Sequence, residues 1–153
     1  MLDIDYSDQC KRLIRSVPWD IELPSDWENF FQERGETPAW PCDERSHRRL
    51  RVRTHGVLWF TQGLSFVPRG TDPIGVYTKD FSKQGCGFIA PLQIFPMEEV
   101  RIVLPAFWVT LRVMRARRVA NKCFEIGCEL IARCDLDERA FETPEPKLLT
   151  TAS

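Results

Sequence analysis

Short runs rich in β-branched and aromatic residues, separated by Gly, Pro and Asp, fill the chain from residue 51 to residue 134. Each run is long enough for one strand and each break suits a turn, so the pattern is typical of a small all-β barrel or sandwich. Three short runs, at residues 57–61, 74–78 and 87–90, are followed by three better-formed ones. The sequence therefore predicts about six strands.

The three later runs alternate apolar and polar residues, as strands with one buried face do. Their apolar positions are Val100, Ile102 and Leu104 in the first, Val109, Leu111 and Val113 in the second, and Phe124, Ile126, Cys128, Leu130 and Ala132 in the third. We expect these three faces to meet in a single hydrophobic core.

Helix signals occupy the first 44 residues instead. The clearer signal is the capping box Ser25–Glu28, which is followed by a stop residue at Gly35. Its apolar positions are Trp27, Phe30 and Phe31. A weaker helix is predicted from near Ser7 to the residues before Pro18. This part of the chain is therefore predicted to be helical, with a proline-containing linker at its end.

The length of the chain sets its domain organisation. A chain of 153 residues is long enough for one domain with a hydrophobic core and too short for two of ordinary size. We predict a helical N-terminal extension and linker over residues 1–44 and one barrel over residues 45–136. Residues 137–153 are expected to form a mobile tail, because the chain becomes polar after Arg133 and residues 142–153 contain two prolines and little to bury.

Charge and hydropathy argue against binding to nucleic acid polymers and against membrane insertion. The formal net charge is -1 at pH 7, which gives no global field towards polyanions or anionic lipid. The most apolar window, residues 102–114, is interrupted by Pro105 and Arg112 and is shorter than the roughly 20 residues that span a bilayer. The acidic N-terminus does not resemble a secretory signal. We therefore expect a cytoplasmic protein.

The cysteines and histidines lack the spacing of a metal site or a catalytic centre. No CxxC pair occurs among the six cysteines, so the sequence predicts no zinc site. In a cytoplasmic protein we expect reduced thiols, several of them small core residues. His47 and His55 have no carboxylate or cysteine at ligand spacing, so exposed or structural roles are expected for both. We predict no catalytic residue, no metal and no cofactor, and hence not an enzyme.

The strongest local charge lies between Arg45 and Arg53, where five arginines occur without an acidic residue. Guanidinium groups bind phosphate and the O6/N7 edge of guanine through paired hydrogen bonds, and they also stack on flat rings. The run thus has the chemistry of an anion-binding segment, although such a run more often forms a solvated face. A second basic stretch, over residues 115–122, is interpreted as a solvated strand edge.

A turn motif follows further along the chain, in the sequence Asp80-Phe81-Ser82-Lys83-Gln84-Gly85. Asp and Ser side chains bond to backbone groups in tight turns, and Gly supplies a positive φ. Taken alone, these residues predict an ordinary hairpin turn. Arg49 and Arg53 add an RxxxR motif before this DxSxxG motif.

This pair of motifs resembles the signature of PilZ domains. The resemblance covers residues 45–134, because Gly85–Phe88, Val113–Arg115 and Ile126–Cys128 are similar to later strands of the family in the same order. It implies a six-stranded antiparallel β-barrel that binds cyclic di-GMP, a bacterial second messenger. It also implies a change of conformation on binding that a downstream protein partner recognises.

By the same resemblance, the ligand-binding residues are Arg48, Arg49, Arg53, Asp80, Ser82 and Gly85. The arginines would bind phosphate and guanine, Asp80 would accept hydrogen bonds from a guanine edge, and Ser82 would contact phosphate. Gly85 would let the backbone turn closely. Arg48, directly before the RxxxR motif, implies two stacked ligand molecules, because an extra guanidinium can stack on guanine and offset phosphate repulsion.

Other functions fit parts of the sequence. A PilZ-fold domain that binds a protein and no ligand would keep the barrel without using the motifs. A small barrel that binds RNA or single-stranded DNA would use the two basic stretches, but near-zero net charge and the lack of an aromatic platform argue against it. An enzyme that uses Cys and His lacks the spacing of a nucleophile and its base.

Overall fold

The computed structural model describes residues 2–27, 30–32, 35–36, 50–51, 53–64, 67, 69–134, 138–144 and 147–149. Within these ranges the chain forms one α-helix, three short 3-10 turns and nine strands. The helix is α1 (Leu2–Ser16), and the 3-10 turns are Ser25–Trp27, Phe30–Gln32 and Glu138–Phe141. The strands are β1 (Gly35–Glu36), β2 (Leu50–Arg51), β3 (His55–Leu64), β4 (Ile74–Phe81), β5 (Gly85–Ala90), β6 (Glu99–Val103), β7 (Trp108–Ala120), β8 (Cys123–Cys134) and β9 (Lys147–Leu149).

Six strands close into an antiparallel barrel. Around the barrel the order is β3, β4, β5, β8, β7 and β6, and β3 closes the ring by pairing with both β4 and β6. The short strands β2 and β1 extend the sheet beside β4, and β9 lies parallel to β3. The predicted six-stranded barrel is confirmed. None of the helices in the described ranges is long and apolar enough to cross a membrane.

The barrel interior is filled by alternate side chains of the strands, since successive side chains of a strand point to opposite faces. Its buried residues include Leu58, Phe60, Val76, Cys86, Phe88, Val100, Ile102, Leu104, Val109, Leu111, Val113, Ile126 and Cys128. Each of the three faces predicted from the later runs contributes to this core. The prediction that they meet there is therefore confirmed, except for Ala132, which is exposed.

Helix α1 covers the outer face of β3. The side chains of Val57 and Trp59 point away from the interior and are buried under α1, in a cluster with Tyr6 and Cys10. The Tyr6 hydroxyl donates a buried hydrogen bond of 2.8 Å to the Leu104 carbonyl, which ties α1 to the end of β6. Both faces of β3 are thus buried, and the extension is part of the packed structure.

The chain after α1 is held against the barrel by Trp19. Its indole Nε1 donates to the Ile14 carbonyl at 2.7 Å, while the Gly75 amide donates to the Pro18 carbonyl at 3.1 Å. A Cβ atom on Gly75 would lie 2.4 Å from the Trp19 ring. Because no real Cβ contact is so short, the absence of a side chain at this position is what lets the indole lie on β4.

The α-helix predicted from the capping box at Ser25 is wrong for the described residues. Ser25–Trp27 and Phe30–Gln32 are separate 3-10 turns, and the Trp27 amide bonds to the Pro24 carbonyl in an i to i−3 pattern. Phe30 is 2% exposed and packs on the barrel beside Ile89 and Cys123. Burial of these aromatic side chains on the sheet outweighs the local capping signal, which is worth about 1 kcal/mol.

The two ends of the predicted helices also differ from expectation. Gly35, predicted as a helix stop, lies in β1 and pairs with Arg51. The weaker helix signal belongs to the α-helix that does form. This helix, α1, begins at Leu2 rather than near Ser7. Packing against the barrel stabilises α1 beyond what its own sequence predicts.

The C-terminal segment buries more than the sequence suggested. Ala140 is fully buried, and the Phe141 ring lies 5.0 Å from that of Tyr6. Arg101 donates hydrogen bonds to the carbonyls of Ala140 and Glu142. The turn Glu138–Phe141 therefore packs against the rest of the molecule, and β9 pairs with β3 through its backbone. Elements this short contain no hydrophobic period that could reveal them.

Candidate functional site

Strand pairing places Leu50 and Arg51, from the arginine run, beside the start of the DxSxxG motif. In β2, Leu50 lies opposite Phe81 and Arg51 lies opposite Asp80. Two residues later, Arg53 Nε donates a hydrogen bond of 3.2 Å to the Lys79 carbonyl. Arg51 and Arg53 are therefore adjacent in space to the strand that leads into DxSxxG, although a whole strand, β3, separates them in sequence. The motif residue Arg49 and the preceding Arg48 lie outside the described residues, as does His47.

Arg53 joins three parts of the molecule. Besides its bond to β4, its Nη1 donates to the Phe30 carbonyl at 3.3 Å, and the guanidinium lies 4.3 Å from the centre of the Phe30 ring. Cation–π contacts at such distances contribute about 0.5–2 kcal/mol. The N-terminal extension is thus attached directly to a residue of the RxxxR motif.

Asp80 presents a carboxylate on the outer face of the barrel. The residue is 6% exposed and lies opposite Gly87 of β5. A Cβ atom on Gly87 would lie 2.9 Å from Asp80 Oδ1, so the carboxylate extends over the glycine. A carboxylate has two oxygens and can accept several hydrogen bonds at once. This position suits an acceptor for N–H groups of a ligand.

Ser82 closes the β4–β5 hairpin. Its amide donates to the Gly85 carbonyl at 2.9 Å, and its hydroxyl oxygen accepts from the amides of Gln84 and Gly85 at 3.3 and 3.1 Å. A hydroxyl has two acceptor lone pairs and one proton. Both described bonds use the oxygen as an acceptor, so the proton can be donated to a ligand oxygen such as that of phosphate.

Gly85 does not have the positive φ that the turn chemistry predicted. Among the described glycines the positive φ belongs to Gly70, at 74°, and Gly85 opens β5. The hairpin is closed by Ser82, and the Gln84 carbonyl ties the turn to β8 by accepting from the Leu130 amide at 2.8 Å. These bonds fix the turn without a left-handed residue at its end.

A shallow trough continues from Asp80 across the barrel. In register, Asp80 lies opposite Gly87, Gly87 opposite Gly127, and Gly127 opposite Arg115. A Cβ atom on Gly127 would lie 2.8 Å from Arg115 Nε, so the Arg115 side chain extends over this second glycine. These four residues line a cavity of about 150 Å³. The trough therefore has a glycine floor between a carboxylate and a guanidinium.

Ion pairs close one side of the trough. Lys79 Nζ lies 3.6 Å from one carboxylate oxygen of Glu125, and Arg117 Nη2 lies 2.8 Å from the other. The Arg117 side chain is 71% exposed, which agrees with the predicted solvated face. Arg115 was predicted with the same face, but it borders the cavity. The sequence signal for this cavity was a glycine inside each of two strands, at positions 87 and 127, because such glycines often mark the close approach of another group to the backbone.

His55 and the described thiols have structural positions. The His55 ring stacks on Phe31, with ring centres 4.9 Å apart, and burial lowers the pKa of His55. Cys10 is buried under α1, and burial raises the pKa of its thiol to about 11, which disfavours the nucleophilic thiolate. Across the described ranges, no group of three or more His, Cys, Asp and Glu residues could hold a metal ion.

Comparison with known proteins identifies the family of this fold. A family model described as PilZ domain matches residues 43–141, which is more than half of the chain. The match includes both motifs and all six strands of the barrel. No curated protein and no solved structure matches the chain.

Proposed function

Because the chain belongs to the PilZ domain family, we propose that it is a receptor for cyclic di-GMP. PilZ domains bind ligands and are not a catalytic family. The observation that carries the proposal is the pairing of Arg51 with Asp80, which sets the arginine segment directly beside the DxSxxG turn. Both motifs can then contact a single ligand on the outer face of the barrel.

The described groups complement the chemistry of the ligand. Guanine has donors at N1 and N2, which a carboxylate such as that of Asp80 accepts, and acceptors at O6 and N7, which a guanidinium bonds in pairs. Phosphate oxygens accept from guanidinium groups and from the Ser82 hydroxyl. Arg48 and Arg49 would complete the site from the segment before β2, with two stacked ligand molecules bound together.

The proposed signal is a change of conformation that a downstream protein recognises. Arg53 supports it, because this motif arginine also bonds to Phe30 in the N-terminal extension. A ligand that competes for the Arg53 guanidinium would alter the hold on that extension. A ligand shifts the equilibrium between two conformations of the extension only as far as its affinities for the two conformations differ.

Titration calorimetry tests the proposed ligand. The purified chain should bind cyclic di-GMP and show much weaker binding to GTP, cyclic AMP and a short single-stranded RNA. The variant Arg12→Ala, in the exposed part of α1, serves as a matched control for loss of one positive charge. Binding of the RNA instead would support the nucleic-acid barrel, and absence of binding to cyclic di-GMP would contradict the proposal.

The second candidate is a PilZ-fold domain that binds a protein partner without the nucleotide. The contacts of Arg53 favour it, since this motif residue already bonds to the carbonyls of Phe30 and Lys79 within the chain. A folded chain that binds no cyclic di-GMP at millimolar concentration would support this candidate.

We also propose that the chain does not turn over its ligand. The residues around the trough are donors and acceptors of hydrogen bonds, without an activated nucleophile beside a base. Chromatography should recover cyclic di-GMP unchanged after hours of incubation. Linear dinucleotide, formed in a preparation without contaminating nuclease, would contradict a purely binding role.

A further inference from the structure

Arg115 faces Asp80 across the trough over Gly87 and Gly127, on the same outer face of the barrel. We infer that Arg115 is a further ligand-binding residue, which bonds the O6/N7 edge of a guanine whose N1/N2 edge is bound by Asp80. The inference rests on the proposed function and deepens it. Arg115 belongs to neither of the two sequence motifs. It makes β7 a third source of ligand contacts.

The floor of the trough fits a flat ring. Gly87 and Gly127 are paired across β5 and β8. At this position two adjacent strands, about 4.8 Å apart, therefore lack side chains on the same face. The same row ends in Asp80 on one side and Arg115 on the other, and both side chains extend over the glycines. The cavity lies between these two side chains, above the glycines, and a planar base can enter it edge-on; a larger residue at either glycine would displace them.

The size of the trough indicates one base rather than the whole ligand. Its volume is about 150 Å³, whereas pockets that enclose an entire small-molecule ligand measure roughly 300–1,000 Å³. The remainder of the dinucleotide would extend towards the arginine segment, which lies beyond Asp80.

The charges of the trough favour a base over a phosphate group. A phosphate on this floor would be repelled by the Asp80 carboxylate, which extends over Gly87. Guanine carries no net charge and presents donors on one edge and acceptors on the other. A carboxylate facing a guanidinium across the floor complements both edges at once. Adenine has an amino donor in place of O6, so it would not satisfy Arg115 in the same position.

Neighbouring arginines of β7 are already engaged in ion pairs. Arg112 lies 3.4 Å from Glu99 and 3.7 Å from Glu129, and Arg117 is paired with Glu125 at 2.8 Å. Arg115, by contrast, makes no ion pair with any residue in the described ranges. A ligand can therefore bond to its guanidinium without first breaking a pair within the protein.

The test compares Arg115→Ala with Arg118→Ala by calorimetry with cyclic di-GMP. Both variants lose one exposed positive charge from β7, but the Arg118 guanidinium bonds to Asn121 and does not line the trough. We expect Arg115→Ala to weaken binding about tenfold or more, and Arg118→Ala to bind within about twofold of wild type. Arg115→Lys should also bind weakly, because an ammonium group cannot form the paired bonds.

A second variant, Gly127→Ala, tests the position of Arg115 without removing it. The added methyl group would meet Arg115 Nε at 2.8 Å and displace the side chain from the floor. Its affinity should fall while circular dichroism and the thermal midpoint show a folded barrel. The same spectra establish that Arg115→Ala is folded.

The outcomes separate this inference from the proposed function. Wild-type affinity in Arg115→Ala, or an equal loss in Arg118→Ala, would overturn the role of Arg115 and leave the proposed function intact. Failure of the wild-type chain to bind cyclic di-GMP would overturn both. Weak binding by Arg115→Ala with normal binding by Arg118→Ala would establish Arg115 as part of the site.

Discussion

The guanidinium of Arg53 lies 4.3 Å from the centre of the Phe30 ring and donates a hydrogen bond to the Phe30 carbonyl. Phe30 itself is buried against the barrel with Ile89 and Cys123. One residue of the RxxxR motif is therefore bound both to the N-terminal extension and, through the Lys79 carbonyl, to the strand that leads into DxSxxG. Rearrangement of Arg53 by a ligand must change the contacts of the extension.

Hydrogen exchange tests this coupling. Adding cyclic di-GMP should change protection over residues 26–44 as well as around residues 48–53 and 80–85, because Arg53 holds the Phe30 carbonyl. The buried part of α1, around Tyr6 and Cys10, serves as an internal control and should not respond. A response confined to the two motifs would contradict the coupling.

Arg49→Ala should weaken binding of cyclic di-GMP by at least about tenfold. The expected loss follows from a paired arginine contact, which is worth roughly 1–3 kcal/mol. Calorimetry measures it against wild type and against Arg12→Ala, which removes an equal charge from exposed α1. Equal affinity in Arg49→Ala and wild type would remove Arg49 from the site.

Asp80→Asn should reduce affinity without disturbing the fold. The amide has nearly the same shape over Gly87, but its NH₂ group would face donors of guanine and it carries no charge. A hydrogen bond to a charged group contributes about 1.5–3 kcal/mol, so a loss of about tenfold or more is expected in calorimetry. If the variant binds as wild type does, Asp80 is not a ligand-binding residue.

Wild-type chain should bind two molecules of cyclic di-GMP, and Arg48→Ala should bind one. The physical reason is that the extra guanidinium can stack on a guanine and reduce repulsion between the phosphates of neighbouring ligands. Calorimetric stoichiometry, checked by native mass spectrometry, measures the difference. One ligand per chain in wild type would contradict the stacked arrangement.

Protonation of His55 should destabilise the protein below neutral pH. Burial lowers the pKa of His55, so in the window below about 6.5 the unfolded chain binds a proton that the folded chain does not. This contribution to stability is complete above the unfolded pKa and is lost as pH falls through the folded pKa. Urea unfolding at several pH values should therefore show a smaller decrease in the free energy of unfolding at acidic pH for His55→Phe, which can keep the stack on Phe31. Identical pH dependence in both proteins would rule out this role.

The barrel could be predicted because its signals are local. The alternation from Phe124 to Ala132 marks β8, and the runs that begin near Val57 and Ile74 mark β3 and β4. Alternating burial follows directly from the period of a strand, so each face could be assigned without knowing its partners. The motif pair predicted the family for a similar reason, since fixed spacings of Arg, Asp, Ser and Gly can be read from sequence alone.

The elements that were predicted wrongly depend on distant contacts. A capping box at Ser25 favours a helix, but the aromatic residues after it pack on the barrel from short 3-10 turns. The turn Glu138–Phe141 shows no period of its own, yet Arg101 and Tyr6 contact it from far along the chain. Local propensity, worth about 1 kcal/mol or less, is overridden by such burial.

The sequence by itself thus determined the six strands of the barrel, most of their inward-facing residues and the two motifs. Only the tertiary structure decided that Arg53 holds Phe30 and that Arg115 faces Asp80 across Gly87 and Gly127. Neither relation is encoded in a spacing, because strand register and barrel closure bring residues together from separate parts of the chain. Those contacts depend on which strands pair and where, and pairing is settled by the packing of the whole core.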